Sequence, residues 1–273
     1  MKHKTRWTAK KIAQRLRLIE PLAYRQQHLI PPFRYTALPG PEAAPPVGTA
    51  VDDTTWTVIA PHSYWGHWVN DFVLRTTFTV PEAWPADAPV ALHLPLGDAG
   101  DFSHPEALLY VDGRSLAACD RHHQEILLPD ALRDGRTHQL ALHGWTGLGD
   151  WLGREPHTQL FMRSCAVVLI DQPTRDFVAT VRVALGIANQ LDDGEPAKGY
   201  LYSALDNAFY LLDTREPHGR FFYDSIATAH QALLDDIARA GRPLDVTITA
   251  SGHAHIDVAW LWSVAQTRRK AGR

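Results

Sequence analysis

The sequence predicts an α+β protein that begins with an antiparallel, jelly-roll-like β-sandwich, continues through a helical segment and ends in the first strand of an α/β barrel. Two changes of pattern support this fold class. Between about residues 51 and 172, short runs of aromatic and β-branched residues alternate with Gly, Pro and Asp turns, which is typical of an antiparallel sandwich. From residue 173 to residue 243, apolar residues recur every three or four positions, which indicates amphipathic helices.

The first 50 residues are predicted to contain one helix and a proline-rich linker. Apolar residues share one helix face between Thr8 and Tyr24, and Thr8 is a suitable N-cap. Residues 31–50 contain too many prolines for a helix or a central strand, so this stretch is interpreted as an extended linker on the surface of a neighbour.

Seven runs in the predicted sandwich have the composition of strands, namely residues 56–60, 73–80, 90–94, 107–111, 125–128, 139–142 and 159–162. Asp112-Gly113, between two of these runs, is a hairpin signal. Two clusters, residues 64–68 and 120–124, contain the aromatic rings and hydrogen-bonding groups from which glycan sites are built. Tryptophans that fill the core, and a polar run that stabilises a loop, explain the same clusters without a ligand.

The segment 173–243 is predicted to be a helical spacer of three helices, at residues 174–191, 198–212 and 221–240, whose apolar stripes form a core. Leu244–Ala250 follows as a β-prone run, and residues 244–273 would begin a barrel domain. A strand that leads into clustered potential ligands is typical of the first strand of an α/β barrel, where functional residues lie at the C-terminal ends of the strands.

The potential ligands are His253, His255 and Asp257, spaced two residues apart. Side chains two apart in a strand lie on the same face, so all three are expected to point the same way. Two imidazoles and a carboxylate suit a borderline divalent ion such as zinc. A His-x-His pair alone often occurs by chance, or as hydrogen-bonded histidines of a half-buried strand. The aligned Asp and the Val-Ala-Trp-Leu-Trp run after it make this string more specific.

Two stretches of the chain resemble a known family. Gly252–Trp262, followed by Thr267-Arg268-Arg269-Lys270, resembles the opening of the catalytic domain of glycoside hydrolase family 38, the α-mannosidases. It is most similar to the cytosolic and vacuolar branch and its bacterial relatives. Glu106–Asp120 resembles the N-terminal β-domain of the cytosolic branch. One departure is Ser263, where relatives usually carry Pro, and this position lies outside the expected ligands.

The resemblance implies a function and a site. The implied reaction is the retaining, metal-dependent hydrolysis of terminal α-mannosyl residues, so the expected partners are mannose-containing oligosaccharides. His255 and Asp257 would bind a zinc ion, with cobalt or calcium as alternatives, and Trp260 would stack on the mannose ring. His253 matches a histidine that the family does not use as a direct ligand.

The resemblance also implies that the chain ends inside the catalytic domain, in a truncated barrel. The nucleophile and the acid/base carboxylate are expected beyond residue 273, so no catalytic residue is assigned, and this chain alone is expected to be inactive. Residues 244–273 are expected to be poorly packed or shielded in a homo-oligomer. Two alternatives stay open: a stand-alone carbohydrate-binding or structural module, and a fragment of a metal-dependent amidohydrolase, which also carries His-x-His on its first barrel strand.

Composition excludes several classes of protein. The net charge of −3 gives no electrostatic support for a nucleic acid partner or for binding to an anionic membrane surface. Cys119 and Cys165 do not make a disulfide framework. No apolar signal core follows the basic N-terminus, and no run approaches the roughly 18 apolar residues of a membrane span. A cytoplasmic protein is the simplest prediction.

Overall fold

A computed structural model describes residues 2–97, 105–147, 160–241, 247–253, 255–260 and 262–272. The chain divides into two compact units, each built from two separate stretches. Residues 1–26 and 170–251 form the first, here called the helical unit, and residues 27–169 and 252–273 form the second, the sheet unit. The chain is α+β with antiparallel sheets, as the sequence predicts.

The described residues form twelve strands: β1 (Tyr24–Leu29), β2 (Phe33–Ala37), β3 (Thr57–Ile59), β4 (Ser63–Trp65), β5 (Asp71–Thr79), β6 (Val90–His93), β7 (Glu106–Val111), β8 (Arg114–Cys119), β9 (Glu125–Leu127), β10 (Thr137–Trp145), β11 (Leu160–Met162) and β12 (Ala166–Ile170). One sheet has six strands in the order β3-β2-β5-β10-β7-β8, and another has four in the order β1-β12-β6-β9. β11 and β4 form a two-stranded sheet. The two longest strands, β5 and β10, pair antiparallel over their whole length at the centre of the six-stranded sheet.

The apolar positions of the strands form one cluster to which both larger sheets contribute. Buried and half-buried side chains alternate along β7, because successive residues of a strand point to opposite faces. The cluster includes Phe33, Phe72, Leu74, Leu109 and Leu142 from the six-stranded sheet, and Val90, Leu92, Ile126, Val167 and Leu169 from the four-stranded sheet. This shared core lies within the sheet unit.

The predicted hairpin joins β7 to β8. Asp112 and Gly113 have φ angles of 49° and 79°. Positive φ at both central residues is what a two-residue type I′ turn requires, and its twist matches that of paired strands. The prediction from the Asp-Gly pair is confirmed.

The predicted linker over residues 31–50 is wrong in one part. Phe33–Ala37 forms β2, which lies between β3 and β5 inside the six-stranded sheet. The prolines at 31 and 32 end just before this strand, so each of its residues keeps a backbone N–H for the ladder. The buried Arg75 of β5 holds the remainder of the stretch, through hydrogen bonds to the carbonyls of Pro46 and Gly48.

Four helices belong to the helical unit: α1 (Lys2–Ile19), α2 (Gln172–Gln190), α3 (Pro196–Leu211) and α4 (Arg220–Ala240). The last three match the predicted helices within a few residues, and their apolar stripes pack with that of α1 in a second core. The predicted N-cap at Thr8 is wrong, since α1 begins at Lys2, and no helix breaker separates the two positions. No helix in the described part of the chain is long and apolar enough to cross a membrane.

The predicted barrel strand Leu244–Ala250 lies partly outside the described residues. Its described part, residues 247–250, is exposed and has no strand structure, so that part of the prediction is wrong. A strand needs a neighbour for its backbone N–H and C=O groups, and no described segment pairs with this one. Further along, α5 (Val264–Ala271) forms a helix that sequence patterns did not predict, with Ser263 as its N-cap.

Candidate functional site

The predicted ligands His255 and Asp257 lie side by side on the surface of the sheet unit. The Nε2 atom of His255 is 3.0 Å from Oδ1 of Asp257. Their side chains are 69% and 50% exposed, so both are accessible from solvent. The segment is not a strand, and the two side chains meet through the irregular backbone between them.

These two residues fit part of a zinc site. Zinc bonds of about 2.0–2.2 Å in tetrahedral geometry place neighbouring ligand atoms about 3.3–3.6 Å apart. The observed 3.0 Å is a hydrogen-bond distance, so the two atoms would separate by a few tenths of an ångström to bind one ion. An imidazole nitrogen and a carboxylate oxygen are both common zinc ligands. The His253 ring stacks with that of His255, with centroids 6.2 Å apart and an interplanar angle of 29°. Within the described residues, no three His, Cys, Asp or Glu side chains are grouped as a metal site.

Trp260 follows the two predicted ligands closely in the sequence and carries an exposed aromatic ring. Its side chain is 51% exposed, and its ring meets that of Trp262 edge to face, with centroids 5.4 Å apart and an interplanar angle of 88°. The indole N–H of Trp262 donates to the Thr267 hydroxyl, 3.1 Å away. An exposed, supported ring of this kind can stack on the apolar face of a sugar.

Helix α5 attaches this segment to the six-stranded sheet. The Lys270 ammonium donates to both carboxylate oxygens of Glu106 at 2.5 Å. It also lies 5.1 Å from the ring centroid of Trp145 and 4.6 Å from that of Trp262. A cation between a carboxylate and two aromatic rings combines a charge-assisted hydrogen bond with cation–π attraction.

A second anchor lies one turn earlier in α5. The Gln266 amide donates to both carboxylate oxygens of Asp71, at 2.9 and 3.0 Å. Gln266 and Asp71 are only 6% and 4% exposed. The expectation that residues 244–273 are poorly packed is therefore wrong for α5, because the helix supplies polar side chains that complement two carboxylates of the sheet.

A cleft of about 640 Å³ opens between α5 and the sheet, within the sheet unit. Its lining includes Glu106, Asp120, His255, Asp257, Trp262 and Lys270. Asp120 comes from the polar run 120–124, which the sequence left open between a glycan contact and a structural role. Two of the predicted site residues, His255 and Asp257, thus share a cleft with a carboxylate that the sequence did not assign, whereas the third, Trp260, is not among the described residues that line it.

Asp120 is ionised and held in place. Burial raises the pKa of its carboxyl, but hydrogen bonds from the backbone of His122 and from the side chain and backbone of His123 outweigh burial, so the pKa lies below its usual value. Asp120 Oδ1 accepts the backbone N–H groups of His122 and His123 at 2.7 and 2.8 Å. The ring nitrogen Nδ1 of His123 also lies 2.9 Å from this oxygen. Since Asp120 lines the cleft, its carboxylate could accept a hydrogen bond from a hydroxyl bound there.

The tryptophan cluster 64–68 has a structural role at one position. Trp65 is buried in the core, where its indole N–H donates to the Leu96 carbonyl at 2.7 Å. Glu106 and Lys270 were missed as parts of the site because 164 residues separate them. Only their presence in the two stretches that resemble the α-mannosidases marks them in the sequence.

Comparison with known sequences shows a distant likeness to α-mannosidases. The chain is 25% identical over 223 residues to alpha-mannosidase 2C1 of Homo sapiens, which covers 77% of this chain and 20% of the human protein. It is 22% identical to alpha-mannosidase 2C1 of Mus musculus over the same shares. This chain therefore spans about a fifth of the length of these relatives. No family model matches the sequence.

Solved structures of β-glucuronidases are similar over about half of the chain. A β-glucuronidase of Bacteroides uniformis has a TM-score of 0.37 and 18% identity, over 52% of this chain and 18% of its own. A β-glucuronidase of Ruminococcus gnavus has a TM-score of 0.33 and 12% identity, over 53% and 28% of the two chains. Both scores are too low to establish a shared fold.

Proposed function

We propose that this chain is the N-terminal part of a retaining, metal-dependent α-mannosidase of glycoside hydrolase family 38, of the cytosolic and vacuolar type. The proposed substrates are oligosaccharides with terminal α-mannosyl residues. The observation that carries the proposal is the meeting of His255 Nε2 and Asp257 Oδ1 at 3.0 Å, on a cleft whose other lining includes Asp120. The 25% identity with human alpha-mannosidase 2C1 over 77% of the chain supports it.

His255 and Asp257 would each supply one bond to a zinc ion, with cobalt or calcium as alternatives. The bound ion would supply Lewis-acid chemistry to hydroxyl groups of the sugar. Trp260 would present its ring to the apolar C–H face of the mannose, and the Asp120 carboxylate would accept a hydrogen bond from a hydroxyl. His253 would not bind the ion, because it matches the histidine that the family does not use as a direct ligand.

The proposal includes that this chain alone is inactive. Retaining hydrolysis needs two carboxylates about 5–5.5 Å apart, one as nucleophile and one as acid/base. Around the cleft, Asp257 would be bound to the metal, Glu106 is paired with Lys270, and Asp120 is fixed by its loop. None of the three is free to move onto the anomeric carbon, and loss of a nucleophile costs on the order of 10⁶ in turnover in other hydrolases.

The finer fold assignment is also part of the proposal. The two larger sheets would form a jelly-roll-like β-sandwich, and the support for this is that both contribute side chains to one core. The cytoplasmic location and the homo-oligomer stay predictions from the sequence.

Zinc binding to the purified 273-residue chain tests the site by calorimetry. His255→Ala and Asp257→Ala should each remove zinc binding, because each deletes one of two metal bonds. His253→Ala is the matched control and should bind like the parent chain. Equal zinc affinity in the His253→Ala and His255→Ala variants would contradict the assignment.

Turnover of an aryl α-mannoside tests the inactivity of the chain. With zinc present and host mannosidase removed, we expect no turnover above background. Activity that survives purification and disappears in the Asp257→Ala variant would mean that the chain holds a complete site.

The alternative of a stand-alone carbohydrate-binding module uses the same cleft without a metal. Asp120 on the cleft offers an acceptor, and Trp260, which is not among the described residues that line the cleft, offers an exposed ring; neither needs an ion. Binding of methyl α-mannoside that persists with a chelator, and is lost in Trp260→Ala, would favour this alternative over the metal-dependent site.

A further inference from the structure

The hydroxyl of Thr267 joins α5 to the segment that carries the site. This side chain is buried, and its Oγ1 accepts the backbone N–H of Ala259 at 3.2 Å and the indole N–H of Trp262 at 3.1 Å. Its own proton has two carbonyl acceptors, that of Ser263 at 3.3 Å and that of Asp257 at 3.5 Å. One hydroxyl therefore contacts the segment 257–262 at both ends.

The Thr267 hydroxyl makes more hydrogen bonds than a threonine inside a helix normally does. A Thr inside a helix commonly donates to the carbonyl four residues earlier, which here is Ser263. The two donors from Ala259 and Trp262 come from outside α5 and have no role in forming the helix. They fix the position of the preceding segment instead.

The segment also contains a strained residue at the point where Thr267 binds it. Ala259 has a φ of 54°, in the left-handed region. For a residue with a Cβ this conformation is unfavourable, because the Cβ approaches the following carbonyl oxygen, and it persists only where surrounding contacts hold it. Asp257 and Trp260 flank Ala259 closely, so the direction of both side chains depends on this turn.

Thr267 itself has a firm support. Its neighbour Gln266 is hydrogen-bonded to Asp71 of β5, and Lys270 is hydrogen-bonded to Glu106 of β7. The Arg269 guanidinium donates to the carbonyls of Pro41 and Ala43. Three side chains of α5 thus attach it to other segments of the sheet unit, and the Thr267 hydroxyl connects the turn at Ala259 to this anchored helix.

We propose that Thr267 is a positioning residue that holds the strained turn at Ala259 and thereby orients Asp257 and Trp260. Thr267 holds the turn at Ala259 whether or not Asp257 and Trp260 contact a mannoside. Only the description of that turn as part of a sugar site rests on the proposed function.

Hydrogen exchange on the full chain tests the inference at the amide of Ala259. Thr267→Val keeps the shape but removes both acceptor contacts, so this amide should exchange roughly threefold to tenfold faster. Thr267→Ser keeps the oxygen and should exchange like the parent. Thr79→Val is the matched control, because it deletes a hydroxyl that pairs with Thr137 elsewhere in the same unit and should change nothing in this segment. Unchanged exchange in Thr267→Val, or equally fast exchange in Thr267→Ser, would overturn the inference.

A second variant covers the case in which Thr267→Val fails to fold. Trp262→Phe keeps a ring against Lys270 and removes only the indole donor to Thr267. Because the Thr267 hydroxyl then loses one of its two donors, exchange at Ala259 should rise about twofold. An amide that exchanges at the parent rate in a folded Trp262→Phe chain would count against the positioning role.

Binding measurements separate this inference from the proposed function. If the parent chain binds zinc and methyl α-mannoside, Thr267→Val should weaken both, while Thr79→Val should not. If the parent binds neither ligand, the proposed function fails, and the exchange rates still decide whether Thr267 holds the turn.

Discussion

At the scale of single residues, His138 connects two carboxylates at the edge of the sheet unit. Its ring is buried, with Nδ1 2.7 Å from Asp112 Oδ2 and Nε2 3.0 Å from Asp134 Oδ1. Burial raises the pKa of Asp112, but hydrogen bonds from His138 and from the Gln139 N–H outweigh it, and the pKa is lowered. Hydrogen bonds from Arg136 lower the pKa of Asp134.

These depressed pKa values predict a loss of stability in acid. A carboxyl whose pKa is lower in the folded than in the unfolded chain stabilises the fold above its unfolded pKa of about 3.9. That contribution is lost as the pH falls from about 4 through the lower folded value. In urea unfolding between about pH 2 and 5, Asp112→Asn should therefore show a shallower fall in the free energy of unfolding than the parent. Parallel curves would contradict the prediction.

The two cysteines are expected to be inert in the native chain. Burial, and next to it the charge of Asp120, raises the pKa of Cys119 to about 12, and burial also raises the pKa of Cys165. The thiolate is the nucleophile, so neither side chain should react with a thiol reagent at about pH 8. In urea both should react. Rapid labelling of Cys119 in the folded chain would show that the cleft beside it opens.

The site residues show how far spacing alone can predict a site. Two-residue spacing predicted that His253, His255 and Asp257 share a face. The structure places His255 Nε2 3.0 Å from Asp257 Oδ1 and stacks the His253 ring with that of His255, with centroids 6.2 Å apart. The prediction assumed a strand, whereas the local backbone turns at Ala259, whose positive φ no sequence rule for alanine anticipates. Chemistry of the side chains was readable from the sequence, and their geometry was not.

At the scale of elements, Gly144 makes the close packing of the six-stranded sheet possible. It lies in β10, and a Cβ added there would be 2.4 Å from the Glu106 carbonyl, 2.6 Å from the Phe72 ring and 2.9 Å from Ala107 Cβ. The Glu106 backbone and the buried Phe72 ring cannot move away without a large loss of stability. Gly144→Ala should lower the free energy of unfolding by about 1–3 kcal/mol or more, measured by urea denaturation.

Gly186 provides the control for that substitution. It lies inside α2, and nothing is within 4 Å of a Cβ built there. Gly186→Ala should be neutral or raise stability by up to about 1 kcal/mol, because Ala has the higher helix propensity. If the Gly144→Ala chain were as stable as the Gly186→Ala chain, the close approach of β5 and β7 to Gly144 would be contradicted.

Elements with a strong local period were predictable, and elements defined by distant partners were not. Helices α2, α3 and α4 follow from apolar spacing within each segment. β2 was missed because the prolines on both sides of it indicate a loop. The partners that make it a strand, β3 and β5, come later in the chain. α5 was missed because the face that it packs against the sheet is polar and gives no apolar pattern. That face is complemented by the carboxylates of Asp71 and Glu106, which lie far away in the sequence.

At the scale of the whole molecule, each unit is assembled from stretches far apart in sequence. The helical unit joins residues 1–26 to 170–251, and its core includes Ile12 of α1 together with Phe177 of α2. Apolar patterns identify such core residues but not which segment they meet. This is why a boundary near residue 50 follows naturally from composition, while the division at residue 26 emerges only from contacts.

The last stretch, residues 252–273, should be dispensable for folding of the sheet unit. The core of that unit is built from residues between Ile30 and Leu169, and no described residue of the last stretch belongs to it. α5 is held mainly by hydrogen bonds to Asp71 and Glu106, each worth about 1.5–3 kcal/mol, against which the entropy of ordering the segment must be set. A chain that ends at Ser251 should keep a cooperative thermal transition and its β-type circular dichroism, with a lowered melting temperature. Gln266→Met and Lys270→Met should each reproduce part of that decrease. Loss of cooperative unfolding on truncation would show that the sheet unit needs α5 to fold.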